Sequence, residues 1–165
     1  MTHFTSKALL TIFAASLLGA CSTSPTFDSQ NVNLKLQPQQ AVEHAKTHAS
    51  TKVLWGGTVL EAHNLKEVTQ IEVLAYPLNS SYRPITSENP QGRFLIKYTG
   101  YLEPAIYSAG RLITVQGNLS GTESGAVGEH KYTYPVVKSE QLHLWNEREE
   151  PNTRFHFGIG IGIRN

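Results

Sequence analysis

The residue best suited to covalent chemistry is Cys21, the only cysteine in this chain of 165 residues. It closes the tetrapeptide Leu18-Gly19-Ala20-Cys21, at the end of an apolar run that begins at Ala8. The run covers about 11 residues, which suits the core of a signal peptide and falls well short of the roughly 20 that a membrane-spanning helix needs. Lys7 places a positive charge before the run, and the small residues before the cysteine leave a peptidase room to reach the bond.

This tetrapeptide resembles the lipobox of bacterial lipoproteins, in which the cysteine is lipidated on sulfur and becomes the mature N-terminus. The resemblance implies a signal peptide over residues 1–20, a covalent diacylglycerol and N-acyl chain on Cys21, and handling by the lipoprotein processing and export machinery. Two or three acyl chains make attachment effectively permanent, because each buried methylene contributes about 0.8 kcal/mol. A buried free cysteine in an ordinary N-terminal helix and a plain secretory signal with a coincidental cysteine are the alternatives.

The residue after the cysteine is Ser22, which we interpret as a sorting signal. In Gram-negative lipoproteins an aspartate at this position tends to retain the protein in the inner membrane. Its absence therefore favours a lipid-anchored location in the outer membrane.

The composition of the chain predicts a single domain attached by a tether. The net charge is +1 and only 16% of residues are charged, so nothing predicts a nucleic-acid partner. Residues 21–37 are rich in Ser, Thr, Asn and Gln, and they predict a lipidated, flexible tether. With Cys21 acylated, no thiol remains for a disulfide, and residues 38–165 are predicted to fold without one.

The domain pattern is mainly that of β structure. Pro38 to Ala49 predicts a short helix with proline at its first position. Beyond it, runs of β-branched and aromatic residues alternate with turn residues, which predicts an all-β, small antiparallel barrel of OB-like type with about six or seven strands, or else a sandwich. Gly56-Gly57 predicts a bulge or bend, and Gly121–Gly125 predicts a turn. The predicted strands are Val53–Glu61, Thr69–Leu78, Arg93–Tyr98, Arg111–Leu119, Val127–Val137, Gln141–Trp145 and Arg154–Ile163.

The sequence contains no strong catalytic motif: it has no Gly-x-Ser-x-Gly elbow, no P-loop and no zinc-ligand spacing. His44 and His48 share a helical face at a spacing that can hold a metal, but no third ligand accompanies them, so we expect no metal. The carboxylates of Glu72, Glu103 and Glu129 could form an acid–base pair in a barrel mouth. Ion pairs with arginines 83, 93 and 111 are the simpler interpretation.

Four aromatic residues are candidates for a groove that binds a sugar or a peptide: Trp55, Tyr132, Tyr134 and Trp145. Packing in the core or at the barrel rim is the alternative for each of them.

A series of short motifs extends over most of the mature domain. The motifs are Trp55-Gly56-Gly57, Asn64, Thr69, Glu72-Val73, Tyr76-Pro77-Leu78, Arg83-Pro84, Gly92-Arg93-Phe94, Gly110-Arg111, Thr114-Val115, Gly128-Glu129, Tyr132, Tyr134-Pro135-Val136 and His143-Leu144-Trp145. In this order they closely resemble the Slp family of outer-membrane lipoproteins, named for a starvation-inducible lipoprotein. Two turns depart from the family pattern: Tyr82 stands where a glycine is expected, and Glu103-Pro104 replaces Asp-Pro.

The resemblance implies a Gram-negative outer-membrane lipoprotein linked to starvation or stationary phase. It implies no catalytic residues, since the family has no established enzymatic activity, and only Cys21 carries over as a functional position. The leading hypothesis is a non-enzymatic β-domain, facing the periplasm or the cell surface, that supports the envelope under stress. An oligosaccharide- or peptide-binding envelope module is the alternative, and a periplasmic hydrolase is the third.

Replacing Cys21 by serine tests the anchor directly, because a hydroxyl is a far poorer nucleophile than a thiol toward a diacylglyceryl donor. We expect Cys21→Ser to abolish incorporation of labelled palmitate. The domain should then be released from membranes or persist as an uncleaved precursor held by its signal segment. Metabolic palmitate labelling with membrane fractionation measures both effects, and wild-type labelling of the variant would contradict the assignment.

Overall fold

The computed structural model describes residues 25–43 and 50–146. Several sequence predictions lie outside the described residues: Cys21 and Ser22, the second part of the predicted helix with His44 and His48, and the predicted strand Arg154–Ile163. Within the described part, no helix is long and apolar enough to cross a bilayer.

Five strands and one short helix form the described domain. Helix α1 spans Pro38–Glu43. The strands are β1 (Lys52–Asn64), β2 (Val68–Tyr76), β3 (Arg93–Thr99), β4 (Leu112–Val127) and β5 (His130–Leu144). The predicted fold class, an all-β barrel with a short N-terminal helix, is confirmed.

The sheet closes on itself in the order β1-β2-β3-β5-β4, with β4 pairing back to β1. All neighbours are antiparallel except β3 and β5, which run parallel from the pair Leu95–Val136 to the pair Lys97–Lys138. This one parallel pair distinguishes the fold from the purely antiparallel barrel that the sequence predicts.

Side-chain alternation fills the barrel. In β2 every second residue from Thr69 to Ala75 is buried, which is the period of two expected of a strand with one face inside. Trp55 of β1 packs its ring edge-on against Phe94 of β3, with ring centroids 5.2 Å apart. The main buried core comprises Leu36, Ala41, Val53, Trp55, Val59, Ile71, Val73, Ala75, Phe94, Ile96, Ile113, Val115, Leu119 and Val137.

Strand β1 is shared by two neighbours around Gly56 and Gly57. Both residues pair with β2 on one side and with β4 on the other. A Cβ atom on Gly57 would lie 1.9 Å from the carbonyl oxygen of Leu74, so the backbones meet there more closely than any side chain permits. The irregularity that the sequence predicts at these glycines falls instead between Val59 and Glu61, where the β1–β2 register shifts.

The predicted turn at Gly121–Gly125 is wrong, because β4 continues through it. The β4–β5 register shifts between Leu119 and Thr122, and the turn lies at Gly128, whose φ is +59°. A Cβ on Gly125 would lie 2.9 Å from the ring of Tyr134, so this glycine makes room for a ring on the paired strand. The two predicted strands on either side of residue 139 are likewise one strand, β5.

The segment before α1 contacts the barrel along much of its length. Phe27 and Leu36 are each only 7% exposed. The backbone N–H of Asn33 donates to the carbonyl of Lys52 at 2.8 Å, and the Gln141 side chain donates to the carbonyl of Thr26 at 3.0 Å. Composition alone predicts a flexible tether up to residue 37, but these two apolar side chains attach residues 26–36 to the domain.

The close approach at Gly57 predicts that its substitution is costly. Gly57→Ala should lower the free energy of unfolding by about 3 kcal/mol or more, since the added methyl overlaps a backbone carbonyl that cannot rotate away. Gly121→Ala is the matched control, because its Cβ would meet open space and only its φ of +106° opposes the change, at about 1 to 2 kcal/mol. Urea denaturation of the full chain in detergent measures both, and equal losses would contradict the assignment.

Candidate functional site

Trp55 lies in the core and is only 5% exposed. Its indole N–H donates to the carbonyl of Leu36 at 2.7 Å, a buried bond between the barrel interior and the N-terminal segment. Of the four aromatic residues proposed for a ligand groove, this one therefore has a clear structural role.

Tyr132 and Tyr134 form a pair on β5, with ring centroids 4.7 Å apart. The hydroxyl of Tyr132 accepts a hydrogen bond from the backbone N–H of Arg93 at 2.9 Å. The hydroxyl of Tyr134 lies 3.3 Å from Glu72 Oε1, and burial, followed by the nearby carboxylate of Glu72, raises the pKa of this phenol. The pair attaches the β4–β5 hairpin (residues 121–134) to the outer face of β2 and β3.

Ion pairs join the same elements. Arg93 donates to Glu72 at 2.8 Å, across β3 and β2. Lys97 of β3 pairs with Glu123 of the hairpin at 3.1 Å and also donates to Gln70. A shallow cavity of about 180 Å³ lies between Glu72 and Glu123, so two carboxylates share its lining while each is paired with a cation.

The other carboxylates considered from sequence lie on different elements. Glu103, in the β3–β4 loop, accepts a hydrogen bond from the hydroxyl of Tyr101 at 2.7 Å, and this bond is the main cause that raises the pKa of Tyr101. Glu129 follows Gly128 in the turn of the hairpin and is exposed. Among the described residues, no group of three or more His, Cys, Asp or Glu side chains could hold a metal ion.

Trp145 follows β5 directly, and its indole is held by the buried hydroxyl of Thr114. Its indole N–H donates to Thr114 Oγ1 at 2.9 Å, and that hydroxyl donates to the carbonyl of Tyr82 at 2.7 Å. Thr114 is fully buried. One threonine therefore joins the end of β5 to the loop between β2 and β3.

Two guanidinium groups flank this tryptophan. The Arg83 guanidinium lies 5.2 Å from the ring centroid of Trp145, within the range of a cation–π contact. Arg111 donates to the carbonyl of Trp145 at 3.0 Å. The ring of His143 packs edge-on at 4.5 Å, and burial, followed by the charge of Arg83, lowers the pKa of this imidazole.

Arg83, Arg111 and Trp145 line an open cleft of about 430 Å³ between the loop and the end of β5. We call it the arginine cleft. Its lining combines guanidinium, amide, hydroxyl and indole groups, a set that can hydrogen-bond sugar hydroxyls or anionic oxygens. The residues that define it here are Asn79, Arg83, Thr86, Arg111, Trp145 and Asn146.

A second cavity of about 480 Å³ lies under the N-terminal segment. We call it the N-terminal cavity, and it is lined in part by Leu34, Leu36, Trp55, Tyr76, Tyr82 and Gln91. The four aromatic residues proposed for one groove thus divide among three places: Trp55 borders this cavity, the two tyrosines support the hairpin, and Trp145 lines the arginine cleft.

Sequence reasoning underrated the arginines and overlooked Thr114. The available signal was that Arg83-Pro84, Gly110-Arg111 and His143-Leu144-Trp145 all belong to the series of short motifs. Because the three motifs are far apart in sequence, only the closed barrel brings them together.

Tyr82 adopts a left-handed backbone with φ of +61°, which is unusual for a bulky side chain. This is the position at which the family pattern suggests a glycine. The turn is held by Asn79, whose side-chain oxygen accepts from the backbone N–H groups of Ser81 and Arg83. The ring of Tyr82 packs edge-on against Phe27, with ring centroids 5.7 Å apart. A tyrosine in place of the expected glycine therefore gives the N-terminal segment a side chain to contact.

The family model described as "Outer membrane lipoprotein Slp family" matches residues 18–160, which include the tetrapeptide and the whole barrel. The chain belongs to the Slp family. It is an outer-membrane lipoprotein, as the resemblance of its motifs predicted.

Two relatives indicate how far the similarity extends. An uncharacterised protein of Haemophilus influenzae is 36% identical over 118 residues, which are 71% of this chain and 61% of that protein. The outer membrane protein Slp of Escherichia coli is 28% identical over 163 residues, covering 93% of this chain and 84% of the relative. The match therefore spans less than two thirds of the Haemophilus protein.

Among solved structures, a small single-stranded DNA-binding protein from Streptomyces coelicolor aligns with a TM-score of 0.34 and 11% identity. The alignment covers 58% of this chain and 94% of that one. A likeness this weak says nothing about the ligands of the Slp-family domain.

The buried hydroxyl of Thr114 predicts a measurable stability effect. Thr114→Val keeps the side-chain shape but leaves the Trp145 N–H without its acceptor, which should cost about 1–3 kcal/mol of unfolding free energy. Thr86→Val, at an exposed position of the arginine cleft, is the control and should stay within about 0.5 kcal/mol of wild type. Urea denaturation followed by tryptophan fluorescence compares them, and a neutral Thr114→Val would contradict this role.

Proposed function

We propose that this lipoprotein is a non-catalytic, acyl-anchored domain that supports the outer envelope during starvation or stationary phase. Acylation of Cys21 holds the domain at the membrane, and the folded barrel acts there as a structural contact for an envelope component. The membership of the Slp family supports the location, and the arrangement of polar groups supports the non-catalytic role.

The observation that carries this proposal is that two carboxylates suited to catalysis are paired with cations. Glu72 and Glu123, which share a cavity, are each paired with a cation from β3. The Arg93–Glu72 pair bridges β3 and β2, and the Lys97–Glu123 pair holds the hairpin over the outer face of the sheet. A catalytic carboxylate needs access to a substrate proton, whereas these carboxylates are engaged in holding the barrel wall together.

The arginine cleft favours a second candidate, a module that binds an oligosaccharide or a peptide of the envelope. The cleft is large enough for part of such a ligand, and cavities of about 300–1,000 Å³ are typical of small-molecule sites. Arg83 and Trp145 would provide recognition by hydrogen bonding and stacking. This candidate is compatible with the first, because the ligand would be the envelope component that the domain contacts.

Complementation of a deletion strain separates these functions. Carbon-starved cells that lack the gene should admit more of a hydrophobic fluorescent dye than wild-type cells do. The wild-type chain should restore the barrier and Cys21→Ser should not. A Glu72→Gln/Glu123→Gln variant should restore it too, because its amides keep the shape of the wall while removing any acid–base pair.

The outcomes are distinct provided that each variant is present at wild-type level and melts cooperatively. No permeability change on deletion would contradict envelope support. Failure of the folded carboxylate variant would instead favour a hydrolase. Failure of Arg83→Gln, with the carboxylate variant active, would favour the ligand-binding module.

A further inference from the structure

The N-terminal segment is fixed to one end of the barrel. It hydrogen-bonds to Lys52, the first residue of β1, and to Trp55 three residues later. It also hydrogen-bonds to Gln141 of β5. Gln141 pairs with Gln116 of β4, which in turn pairs with Leu54 of β1. Two of these contacts lie in the first half of β1, and the third lies level with it on β5. The chain therefore leaves the folded domain toward Cys21 from that end.

The stretch that remains between the anchor and the domain is short. Three residues lie between Cys21 and Pro25, the first described residue, so the link consists of four residue-to-residue steps. Whatever their conformation, they span at most about 14 Å. A free tether reaching to residue 37 would span up to about 60 Å, which exceeds the roughly 35 Å width of a domain of this size and would permit any orientation.

The same end presents an exposed apolar side chain beside a cation. Leu34 is 58% exposed, and the neighbouring Lys35 is exposed as well. Leu34 lines the N-terminal cavity with Tyr82, whose ring contacts Phe27. We call this surface, defined by Leu34, Lys35 and Tyr82, the anchor-proximal end.

We propose that the anchor-proximal end rests on the phospholipid surface of the leaflet that holds the acyl chains, and that the β1–β2 turn points away from it. The short link from Cys21 imposes this orientation. Leu34 then enters the headgroup region, and Lys35 meets the phosphate groups there. The inference rests on the proposed acylation of Cys21.

The chain offers a matched pair of positions for the test. Leu34 lies next to Asn33, which bonds to the first residue of β1, whereas Leu65 follows the last residue of that strand. Leu65 is also exposed, at 51%. The two leucines therefore adjoin opposite ends of β1, a strand of 13 residues.

The experiment uses the full lipidated chain with one added cysteine, Leu34→Cys or Leu65→Cys, labelled with a fluorophore. Acylation blocks Cys21 itself against the label. The proteins are reconstituted into vesicles of phosphatidylethanolamine and phosphatidylglycerol that contain a headgroup-spin-labelled lipid as quencher. We expect several-fold stronger quenching at position 34 than at position 65.

A lengthened link tests the cause of the orientation. An insertion of about 16 Gly and Ser residues between Ser24 and Pro25 adds a flexible chain of about 22 Å root-mean-square length. It should bring the two quenching values toward each other. The same insertion between Gly128 and Glu129, in the hairpin turn, should leave their ratio unchanged.

Flotation of the same vesicles distinguishes a failure of the proposed orientation from a failure of the proposed anchor. If the protein floats and both positions are quenched equally, or position 65 more strongly, the orientation is overturned while the anchor stands. If the protein does not float, the proposed anchor is overturned and the orientation with it. An unchanged ratio after the Ser24–Pro25 insertion would overturn the short link as the cause.

Discussion

The hydrogen bond from the Trp55 indole to the carbonyl of Leu36 governs how this domain is assembled. Trp55 lies in the core and is only 5% exposed. An unsatisfied buried donor costs about 1–3 kcal/mol. The chain must therefore lay Leu36 over the end of the barrel. Once it does, Leu36 and Ala41 complete the core from outside the sheet. The segment before the first strand is thus part of the fold.

Different segments cover different parts of the outer face of the barrel. The outer face of β2 and β3 is covered by the β4–β5 hairpin, which the Tyr132–Tyr134 pair and the Lys97–Glu123 ion pair hold in place. The outer face of β1 and β4 is covered at Thr114 by the loop that contains Tyr82. The arginine cleft is the opening beside that loop. The polar side chains considered for catalysis from the sequence serve mainly to hold these covers.

Much of the barrel could be predicted from the sequence because strand alternation is a local property. The period of two in β2 is an example, and its buried residues follow directly from it. The Gly121–Gly125 segment could not be predicted, since glycines suit both a turn and a strand that must admit the Tyr134 ring. Trp55 and Trp145 look alike in sequence, yet one is a core residue and the other lines a cleft. What separates them is barrel closure, which depends on contacts between distant segments.

The most direct test is hydrogen exchange at the Trp55 indole, observed by NMR in the full chain in detergent. The indole signal can be assigned by its loss in a Trp55→Phe variant, with Trp145 as an internal reference. If the N-terminal segment is an integral part of the domain, the Trp55 N–H should exchange as slowly as the core amides of β1. Exchange at the rate of an exposed indole, with those amides still protected, would contradict the account, because the segment would then be free of the barrel.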